Sequence, residues 1–302
     1  MENIIIVGAG PAGISAALYA ARGNMDPLII NTGIGSLEKA EKIENYYGLE
    51  RSLSGKELFE RGLEQARALG VRILDAQVVG MGGFDTFEVK TTEGDFEARS
   101  VILATGSKRA SAKIPGVKEF EGKGVSYCAV CDAFFYRGKD VAVLGNSDFA
   151  LHEAEELSHT ASHVTIFTDG KKPEFSKENA IDVNTMKIQA IEGDERVQGL
   201  RLKGDVSLQE AGEPQTSFAP AEGVFVALGT AGSSEMARQI GAELNEKGNI
   251  RVNEEMETTV PGLYAAGDCT GGLLQVAKAV HDGAQAGLSA CQYVRKLLKG
   301  QA

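Results

Sequence analysis

The stretch NIIIVGAGPAGISAALYAARGNMDPLIIN, residues 3–31, predicts a buried strand, a tight turn, a helix and a second strand. Gly8, Gly10 and Gly13 form a G-x-G-x-x-G turn between the first strand and the helix. The first glycine permits the turn, the second lets a pyrophosphate approach the backbone, and the third lets helix and strand pack closely. Unpaired N–H groups and the helix dipole favour a phosphate at this helix N-terminus. The stretch therefore predicts a dinucleotide site, with phosphate contacts from Gly8, Gly10, Pro11, Ala12 and Gly13.

The residue that ends the second strand departs from the usual pattern. An Asp or Glu normally stands there and binds a ribose hydroxyl, whereas this chain has Asn31. An amide can still form a hydrogen bond with a ribose. We therefore expect Asn31 to take part in binding, with a lower affinity than an acidic residue would give.

A second copy of the same unit follows in DVAVLGNSDFALHEAEELSHTASHVTIFTD, residues 140–169. Asn31 stands 23 positions after Gly8, and Thr168 stands 23 positions after Gly145. In the second copy Ser147 replaces the middle glycine, and its Cβ would crowd a pyrophosphate. The pattern favours a structural scaffold. The alternative is a working NADH site in which Asp169 binds the ribose 2′-hydroxyl.

Cys128 and Cys131 form a C-x-x-C pair just before the second copy. Residues at i and i+3 lie on one side of a helical turn, close enough to form a disulfide. No second pair or Cys/His cluster accompanies them, so no metal site is expected. Asp132 follows at once and can donate or accept a proton when the disulfide opens. Cys269 and Cys291 are expected to be buried and inert.

Several further segments organise the rest of the chain. Ser54 to Glu57 is a capping box that opens a helix predicted to end near Leu69. Strand-like runs and turns fill residues 71–99, and residues 101–106 form a buried strand that ends in the turn Ala104, Thr105, Gly106. Another apolar strand ends at Gly267 and Asp268, and a helix is predicted from about Leu274 to Leu298.

The composition excludes several classes of function. The chain has 302 residues, 43% of them apolar, and a net charge of −11 that argues against nucleic acid as a partner. No apolar run approaches the roughly 20 residues that span a bilayer. The acidic N-terminus is predicted to enter a strand directly, so no signal peptide is expected there. We therefore expect a cytoplasmic protein without a membrane segment.

Three motifs together carry a family resemblance. G-x-G-x-x-G at the start, A-T-G in the middle and A-A-G-D near the end are typical of flavoproteins with two dinucleotide folds. The stretch GKGVSYCAVCDAFFYRGKDVAVLG, residues 122–145, resembles the low-molecular-weight thioredoxin reductases, and KIENYYG, residues 42–48, is similar to their segment beside the flavin. The resemblance covers essentially the whole chain.

The resemblance implies an α/β fold with two Rossmann-like βαβ domains, the second inserted into the first. An FAD-binding domain would comprise residues 1–112 and 242–302, and residues 113–241 would carry the cysteine pair on a degenerate NAD(P)-binding fold. Asn45 would face the isoalloxazine ring, Asp268 would bond the ribityl–phosphate region, and Gln275 would lie near the pyrimidine edge. Cys131 would face the flavin and Cys128 the substrate. Thioredoxin, or a thioredoxin-like protein, would be the partner of a homodimer.

The departures from the family concern its electron donor. The family binds NADPH through G-x-G-x-x-A and a later H-R-R, but here the latter positions are Thr168, Asp169 and Gly170. An acidic residue would repel the 2′-phosphate of NADPH. The pattern resembles the ferredoxin-dependent flavin thioredoxin reductases, which do not use pyridine nucleotides. Five basic residues could bind an acidic ferredoxin: Lys113, Lys118, Lys123, Arg137 and Lys139.

Three alternatives remain open at this stage. The chain could be an NADH-dependent thioredoxin reductase, a dithiol oxidase that passes electrons to oxygen, or a redox-sensing flavoprotein without turnover. His281, early in the C-terminal helix, is expected to be an ordinary surface residue, although it could approach the flavin.

Overall fold

The computed structural model describes residues 1–83, 85–106, 113–203, 216–229 and 232–300. Strands and helices are numbered in chain order. The strands are β1 (Glu2–Val7), β2 (Leu28–Asn31), β3 (Arg72–Asp75), β4 (Val78–Gly82), β5 (Phe87–Thr91), β6 (Gly94–Leu103), β7 (Val125–Ser126), β8 (Asp140–Leu144), β9 (His163–Phe167), β10 (Asp182–Asn184), β11 (Ile188–Gly193), β12 (Val197–Lys203), β13 (Thr216–Pro220), β14 (Gly223–Val226) and β15 (Leu263–Ala265). The α-helices are α1 (Pro11–Arg22), α2 (Gly55–Ala68), α3 (Ala129–Asp132), α4 (Asp148–Ser158), α5 (Ser233–Gln239) and α6 (Val276–Gly300).

The chain divides into two compact units, and the second is an insertion in the first. The first unit is Met1–Arg109 with Gly232–Ala302, and the second is Ala110–Ala231. The predicted α/β fold class is confirmed. The return to the first unit comes before α5, whereas the sequence placed it near residue 242. Helix α5 belongs to the first unit because Gln239 at its end accepts a hydrogen bond from the Met81 N–H of β4, at 2.8 Å.

A seven-stranded sheet forms the centre of the first unit. Its order is β3-β2-β1-β6-β5-β4, and β15 also pairs with β6. The long strand β6 has three partners, because its first half pairs antiparallel with β5 and its second half pairs parallel with both β1 and β15. Strand β1 lies parallel between β2 and β6, and Ile4, Ile5 and Ile6 have no exposed surface. This full burial explains the continuous apolar run that predicted a parallel strand.

Helices α1 and α6 pack against each other at very short range. A Cβ at Gly283 of α6 would lie 2.0 Å from the Ala12 carbonyl oxygen of α1, and one at Gly287 would lie 2.5 Å from the Ala16 oxygen. Ser15 of α1 donates a hydrogen bond to the Val280 carbonyl of α6, at 2.7 Å. Small residues four apart on α6 therefore let the two helix backbones meet.

The helix predicted from the capping box is confirmed. Helix α2 begins after Ser54, whose side chain accepts a hydrogen bond from the Glu57 N–H while the Glu57 carboxylate accepts one from the Ser54 N–H. Arg51 also bonds to this carboxylate and, with the Ser54 N–H, lowers the pKa of Glu57 to about 2. The C-terminal helix begins at Val276, two residues later than predicted, and ends at Gly300.

The second unit contains two sheets. The parallel sheet has the order β10-β9-β8-β14-β7, and the antiparallel sheet has the order β11-β12-β13. Gly145 follows β8, and a Cβ there would lie 2.2 Å from the carbonyl oxygen of Ala227, the residue after β14. Helix α4 then returns to β9, so the second βαβ unit predicted from the sequence is present.

Among the described residues, no helix is both long enough and apolar enough to cross a lipid bilayer.

A substitution at the α1–α6 contact tests the packing of the first unit. Gly283→Ala should lower the free energy of unfolding by about 2 kcal/mol, because the added methyl group collides with the backbone of Ala12. Gly300→Ala is the matched control on the same helix, since a Cβ there meets nothing within 4 Å. Urea unfolding followed by circular dichroism measures both. Equal midpoints for the two variants would contradict the close packing.

Candidate functional site

The predicted cofactor residues of the first unit follow four neighbouring parallel strands. Gly8 follows β1, Asn31 ends β2, Ala104 follows β6, and Gly267 lies two residues beyond β15. Parallel strands place their carboxyl ends at one edge of a sheet, and ligands of open α/β sheets bind in the crevice beyond that edge. The fold thus brings together segments that are up to 259 positions apart in the chain, as the positions of Gly8 and Gly267 show.

Each of the three glycines in the first turn is required for a different structural reason. Gly8 has a φ of +105°, and a Cβ there would lie 2.6 Å from the Ala104 carbonyl oxygen. A Cβ on Gly13 would lie 1.8 Å from the Gly8 oxygen, so both positions exclude a side chain. A Cβ on Gly10, in contrast, meets no atom within 4 Å. The turn therefore leaves open space at the N-terminus of α1, where a pyrophosphate can approach the backbone.

Asn31 supports the glycine turn from the neighbouring strand. Its side chain is buried, and its Oδ1 accepts a hydrogen bond from the Ala9 N–H at 3.2 Å. The side-chain oxygen of Asn31 therefore holds the glycine turn in place. The side-chain NH₂ is the group that could donate a hydrogen bond to a ribose hydroxyl. A ribose contact at this position stays a prediction.

The turn after β6 is held by a residue that the sequence did not single out. Thr105 Oγ1 and Ser233 Oγ are 2.7 Å apart, and the Ser233 N–H donates to Thr105 Oγ1 at 2.9 Å. Ser233 is the first residue of α5 and is buried. Gly106 follows with a φ of +83° and open space around its Cα.

A partly buried lysine holds the turn after β15. Lys278 Nζ donates to the Gly267 carbonyl and to Thr270 Oγ1, both at 2.7 Å, and lies 2.7 Å from Asp282 Oδ2. The same carboxylate accepts from the Gly267 N–H at 3.1 Å. Burial raises the pKa of Asp268, the positive charge of Lys278 opposes this shift, and the charge of Asp282 adds to it. The only sequence feature that could have indicated this network is the i, i+4 spacing of Lys278 and Asp282.

Two residues that the resemblance assigned to the flavin lie in contact. Asn45 Nδ2 donates to Gln275 Oε1 at 2.9 Å, although 230 positions separate them. Both side chains are exposed, as are the neighbouring Tyr47, Leu273 and Leu274. The segments 42–48 and 273–275 therefore meet at the surface of the first unit.

The residues of the first unit fit a dinucleotide cofactor. The space over Gly10 and the open backbone at Gly106 lie at the same sheet edge as Asp268, where polar groups are available. The phosphates of an FAD molecule would bind at the N-terminus of α1, and its hydroxyl groups would donate hydrogen bonds to polar groups along this edge.

The cysteine pair forms a disulfide at the start of α3. Cys128 and Cys131 have Cα atoms 5.4 Å apart, within the usual range for disulfides. Cys128 is the N-cap residue of α3, and its sulfur accepts from the Cys131 N–H at 3.2 Å. Cys128 is buried with 3% of its surface exposed, whereas Cys131 is exposed. Only Cys131 is therefore accessible from outside in this arrangement.

Two carboxylates lie against the disulfide turn. Asp132 Oδ2 accepts from Ser126 Oγ at 2.6 Å, and Ser126 Oγ in turn accepts from the Cys128 N–H at 3.1 Å. On the other side, Glu153 Oε2 accepts from the Ala129 N–H at 2.6 Å. Burial raises the pKa of Tyr136, and the charge of Asp132 adds to this. Ser126 and Glu153 were not found from the sequence.

Exposed apolar side chains lie next to the cysteine pair in the chain. Val130, Phe134 and Phe135 expose 50%, 70% and 68% of their surfaces. The guanidinium of Arg137 lies 5.3 Å from the centre of the Phe134 ring. Contiguous exposed apolar residues are typical of a protein contact surface.

The phosphate turn of the second βαβ unit is occupied by the chain itself. The Glu174 N–H donates to the Asn146 carbonyl at 2.7 Å, and Asn146 Nδ2 donates to the Lys172 carbonyl at 3.1 Å. Asp148 Oδ1 accepts from both the N–H and the hydroxyl of Ser176, at 2.8 and 3.0 Å. We call residues 172–176 the covering segment. Ser147 also donates a hydrogen bond to the Gly229 carbonyl, so the turn is bonded on two sides.

Asp169, the alternative ribose ligand, is bonded within the second unit. Its Oδ1 accepts from the Ile188 N–H at 2.9 Å, and its Oδ2 lies 2.8 Å from Lys187 Nζ. Asp169 has a φ of +53°, a conformation that Asp adopts more readily than most residues. Both carboxylate oxygens therefore have hydrogen-bond partners. A ribose hydroxyl would have to compete with Ile188 and Lys187 for the Asp169 carboxylate.

The remaining sequence candidates lie as follows. Cys269 and Cys291 are free and buried, and burial raises the pKa of Cys269 to about 11 and raises that of Cys291. Both thiols are therefore protonated at neutral pH and poorly nucleophilic. His281 is exposed, and its Nδ1 lies 3.5 Å from Asp282 Oδ1.

Comparisons with known proteins agree with this geometry. The family model of the pyridine nucleotide-disulphide oxidoreductases matches residues 2–283. The thioredoxin reductase of Bacillus subtilis (strain 168) is 34% identical over 98% of this chain and 95% of its own length. The crystal structure of the atypical thioredoxin reductase TRi from Desulfovibrio vulgaris Hildenborough has a TM-score of 0.89 and 38% identity, over 98% of this chain and 99% of that one. A ferredoxin-flavin thioredoxin reductase from Clostridium acetobutylicum has a TM-score of 0.69 and 33% identity, over 98% of both chains.

The chain therefore belongs to the pyridine nucleotide-disulphide oxidoreductases and, within them, to the thioredoxin reductase family. It is a disulfide reductase of the thioredoxin reductase type, with Cys128–Cys131 as its cysteine pair. The cofactor of this family is FAD.

The lysine network after β15 can be tested by substitution. Lys278→Met should lower the free energy of unfolding by roughly 3 kcal/mol, because it leaves the carboxylate of Asp282 buried without its cation. Lys296→Met, on the same helix, replaces an exposed lysine and should change little. Urea unfolding measures both variants. A loss as small as that of Lys296→Met would show that Asp282 does not need this partner.

Proposed function

We propose that the chain is a thioredoxin reductase that receives its electrons from reduced ferredoxin and not from a pyridine nucleotide. The main support is that the turn of the second unit, where a phosphate would bind, is hydrogen-bonded to other residues of the chain. The covering segment bonds to Asn146 and Asp148, and Ser147 stands in place of the middle glycine. A nucleotide would have to break these bonds and then meet the Cβ of Ser147.

The geometry of Asp169 supports the same conclusion. An NADH site would require its carboxylate to bind a ribose, yet both oxygens already accept within the second unit. The acidic group also repels the 2′-phosphate of NADPH. The similarity to a protein named as a ferredoxin-flavin thioredoxin reductase makes ferredoxin the favoured donor.

FAD is proposed to lie in the first unit, at the carboxyl edge of β2, β1, β6 and β15. Its pyrophosphate would rest over Gly10 with N–H groups from residues 10–13, and Asp268 would bond the ribityl–phosphate region. Asn45 and Gln275 would bind the ring, which their mutual hydrogen bond and exposure support. Asn31, Ala104, Thr105, Gly106 and Gly267 would line the remaining path.

In the proposed reaction the cysteine pair carries electrons to the partner. Bound FAD would supply a two-electron reductant for the disulfide. The Cys128–Cys131 bond breaks on taking up two electrons, and Asp132, held by Ser126, passes a proton to the sulfur that does not face the flavin. That sulfur, assigned to Cys128, returns the proton to Asp132 and attacks the partner's disulfide as a thiolate, which forms a mixed disulfide. Cys131 then attacks the Cys128 sulfur, which releases the reduced partner and forms the Cys128–Cys131 bond again. The assignment of Cys131 to the flavin side is part of the proposal.

Two partner proteins have to bind in this scheme. The exposed Val130, Phe134 and Phe135 are proposed to contact thioredoxin, because they border the disulfide. Lys113, Lys118, Lys123, Arg137 and Lys139 are proposed to attract an acidic ferredoxin, and none of the five forms an ion pair within the described ranges. A cytoplasmic location and a homodimer remain predictions from the sequence.

The donor is tested by anaerobic bleaching of the flavin absorbance with NADH, NADPH and photoreduced ferredoxin in separate samples. Ferredoxin alone should bleach the flavin rapidly and then support the reduction of added thioredoxin. Rapid bleaching by NADH would overturn the proposal and give Asp169 a direct role. Reduction by dithiols only, with consumption of oxygen on aeration, would make the chain a dithiol oxidase.

The proposed FAD position is tested by Gly10→Ala. The methyl group meets no protein atom, so the free energy of unfolding of the apoprotein should stay within about 1 kcal/mol. It fills the space of the pyrophosphate, so the affinity for FAD should fall about tenfold or more. Gly82→Ala, equally free of contacts in β4, is the control. Unchanged FAD binding in Gly10→Ala, measured by fluorescence titration, would place the cofactor elsewhere.

A further inference from the structure

An ion pair between two largely buried side chains lies at the start of α6. Lys278 exposes 19% of its side chain and Asp282 exposes 5%, and Lys278 Nζ lies 2.7 Å from Asp282 Oδ2. Lys278 belongs to the first turn of α6, which holds no acidic residue. The helix dipole disfavours a cation there, and the transfer of an ion pair out of water also costs free energy. A residue that goes against two such rules is expected to serve function rather than stability.

The ammonium group of Lys278 is bonded to the turn that follows β15. It donates to the Gly267 carbonyl oxygen and to Thr270 Oγ1, each at 2.7 Å, and its third contact is Asp282. An ammonium group has three donors, so these three contacts use all of them. Asp282 in turn accepts a hydrogen bond from the Gly267 N–H at 3.1 Å. The ion pair therefore holds both backbone polar groups of Gly267.

The same turn carries Asp268, which is proposed to bond the ribityl–phosphate region of FAD. Asp268 lies between Gly267 and Thr270, so Lys278 fixes the chain on both sides of it. Gly267 has a φ of +85°, and a Cβ there would lie 3.0 Å from the Cβ of Ala12 in α1. The turn therefore packs against the helix whose N-terminus follows the glycine turn.

The charge of Lys278 also acts on Asp268. Burial raises the pKa of Asp268, the charge of Lys278 lowers it, and the charge of Asp282 raises it to a smaller extent. Two other ionisable groups lie nearby. Burial raises the pKa of Cys269 to about 11, so this thiol is neutral at neutral pH, and His281 is exposed beside Asp282. Lys278 therefore favours the ionised form of Asp268, which accepts hydrogen bonds from hydroxyl groups.

We propose that Lys278 is a positioning residue for FAD, which holds the turn of residues 267–270 in its binding conformation before the cofactor arrives. A turn that is already ordered removes the entropic cost of ordering Asp268 on binding. The charge of Lys278 also keeps Asp268 in the form that accepts hydrogen bonds. The inference rests on the proposed position of FAD in the first unit, and it is independent of the electron donor.

The test uses a double variant that separates cofactor affinity from stability. Lys278→Met combined with Asp282→Asn removes both charges of the pair, and the asparagine keeps a side-chain oxygen for the Gly267 N–H. No carboxylate is then left buried without its cation, as it is in Lys278→Met alone. The urea midpoint of the double-variant apoprotein should therefore lie closer to that of wild type than the midpoint of Lys278→Met does.

The affinity for FAD is measured by fluorescence titration of the apoprotein at neutral pH. It should fall about tenfold in the double variant, because binding must now order the turn. Lys296→Met, an exposed position on the same helix, is the control and should bind FAD as wild type does. An unchanged affinity in the double variant would overturn the proposal.

The pH dependence of this affinity is a readout that a merely structural residue would not change. The affinity should fall as the pH drops through the pKa of Asp268, because the protonated carboxyl is a poorer acceptor. Loss of Lys278 raises this pKa more than loss of Asp282 lowers it, so the fall should begin at a higher pH in the double variant. Profiles of the same shape in wild type and double variant would contradict the action of Lys278 on Asp268.

Two further variants keep the result interpretable. Thr270→Val removes one contact of Lys278 without a change of charge, and it should lower the affinity about threefold even if the double variant does not fold. Wild-type affinity in Thr270→Val would count against the proposal. Gly10→Ala, measured in parallel, tests the position of FAD itself. If Gly10→Ala lowers the affinity and the changes at Lys278 and Thr270 do not, the role of Lys278 fails and the position of FAD stands; if none lowers it, both fail.

Discussion

The close contact of three backbone segments at the start of α1 determines the rest of the first unit. Gly8 lies against Ala104, Gly13 lies against Gly8, and Gly283 of α6 lies against Ala12. Without side chains at these glycines, β1, β6, α1 and α6 can meet at atomic contact. This packing aligns the carboxyl ends of the parallel strands and leaves open space over Gly10, between Gly8 and Gly13, where a Cβ would collide with the backbone. The contacts that make the core compact are therefore the ones that shape the cofactor crevice.

The second unit has the same βαβ topology, but its turn is arranged differently. Its βαβ turn is bonded to the covering segment and to Gly229, so the turn is part of the packed structure. Helix α4, which would start a nucleotide site, instead carries Glu153 and ties its middle to α3 through Ala129. Helix α4 thus supports the segment that carries the cysteine pair.

The sequence predicted the features that depend on neighbouring residues. The glycine turn, the buried strand β1, the capping box of Ser54 and Glu57 and the second βαβ unit follow from local patterns, and family resemblance brought Asn45 and Gln275 to one site. It did not predict Ser233, Lys278 with Asp282, or Glu153, because their roles come from partners distant in the chain or from burial. The hydrogen bonds of the covering segment were not predicted either. Polar loop residues such as Lys172 and Ser176 show no sequence pattern that indicates their partners. The boundary near residue 242 was misplaced for a similar reason, since the contact of Gln239 with Met81 is not visible in the sequence.

The covering segment has a consequence for how cofactor preference can change during evolution or engineering. A glycine at Ser147 would remove one methylene and hydroxyl, but Asn146 and Asp148 would still be bonded to residues 172–176. Displacement of that segment would leave Ser147 in the way, and either change would leave Asp169 engaged with Ile188 and Lys187. With the donor proposed above, a change to a pyridine nucleotide would therefore require all of these rearrangements together.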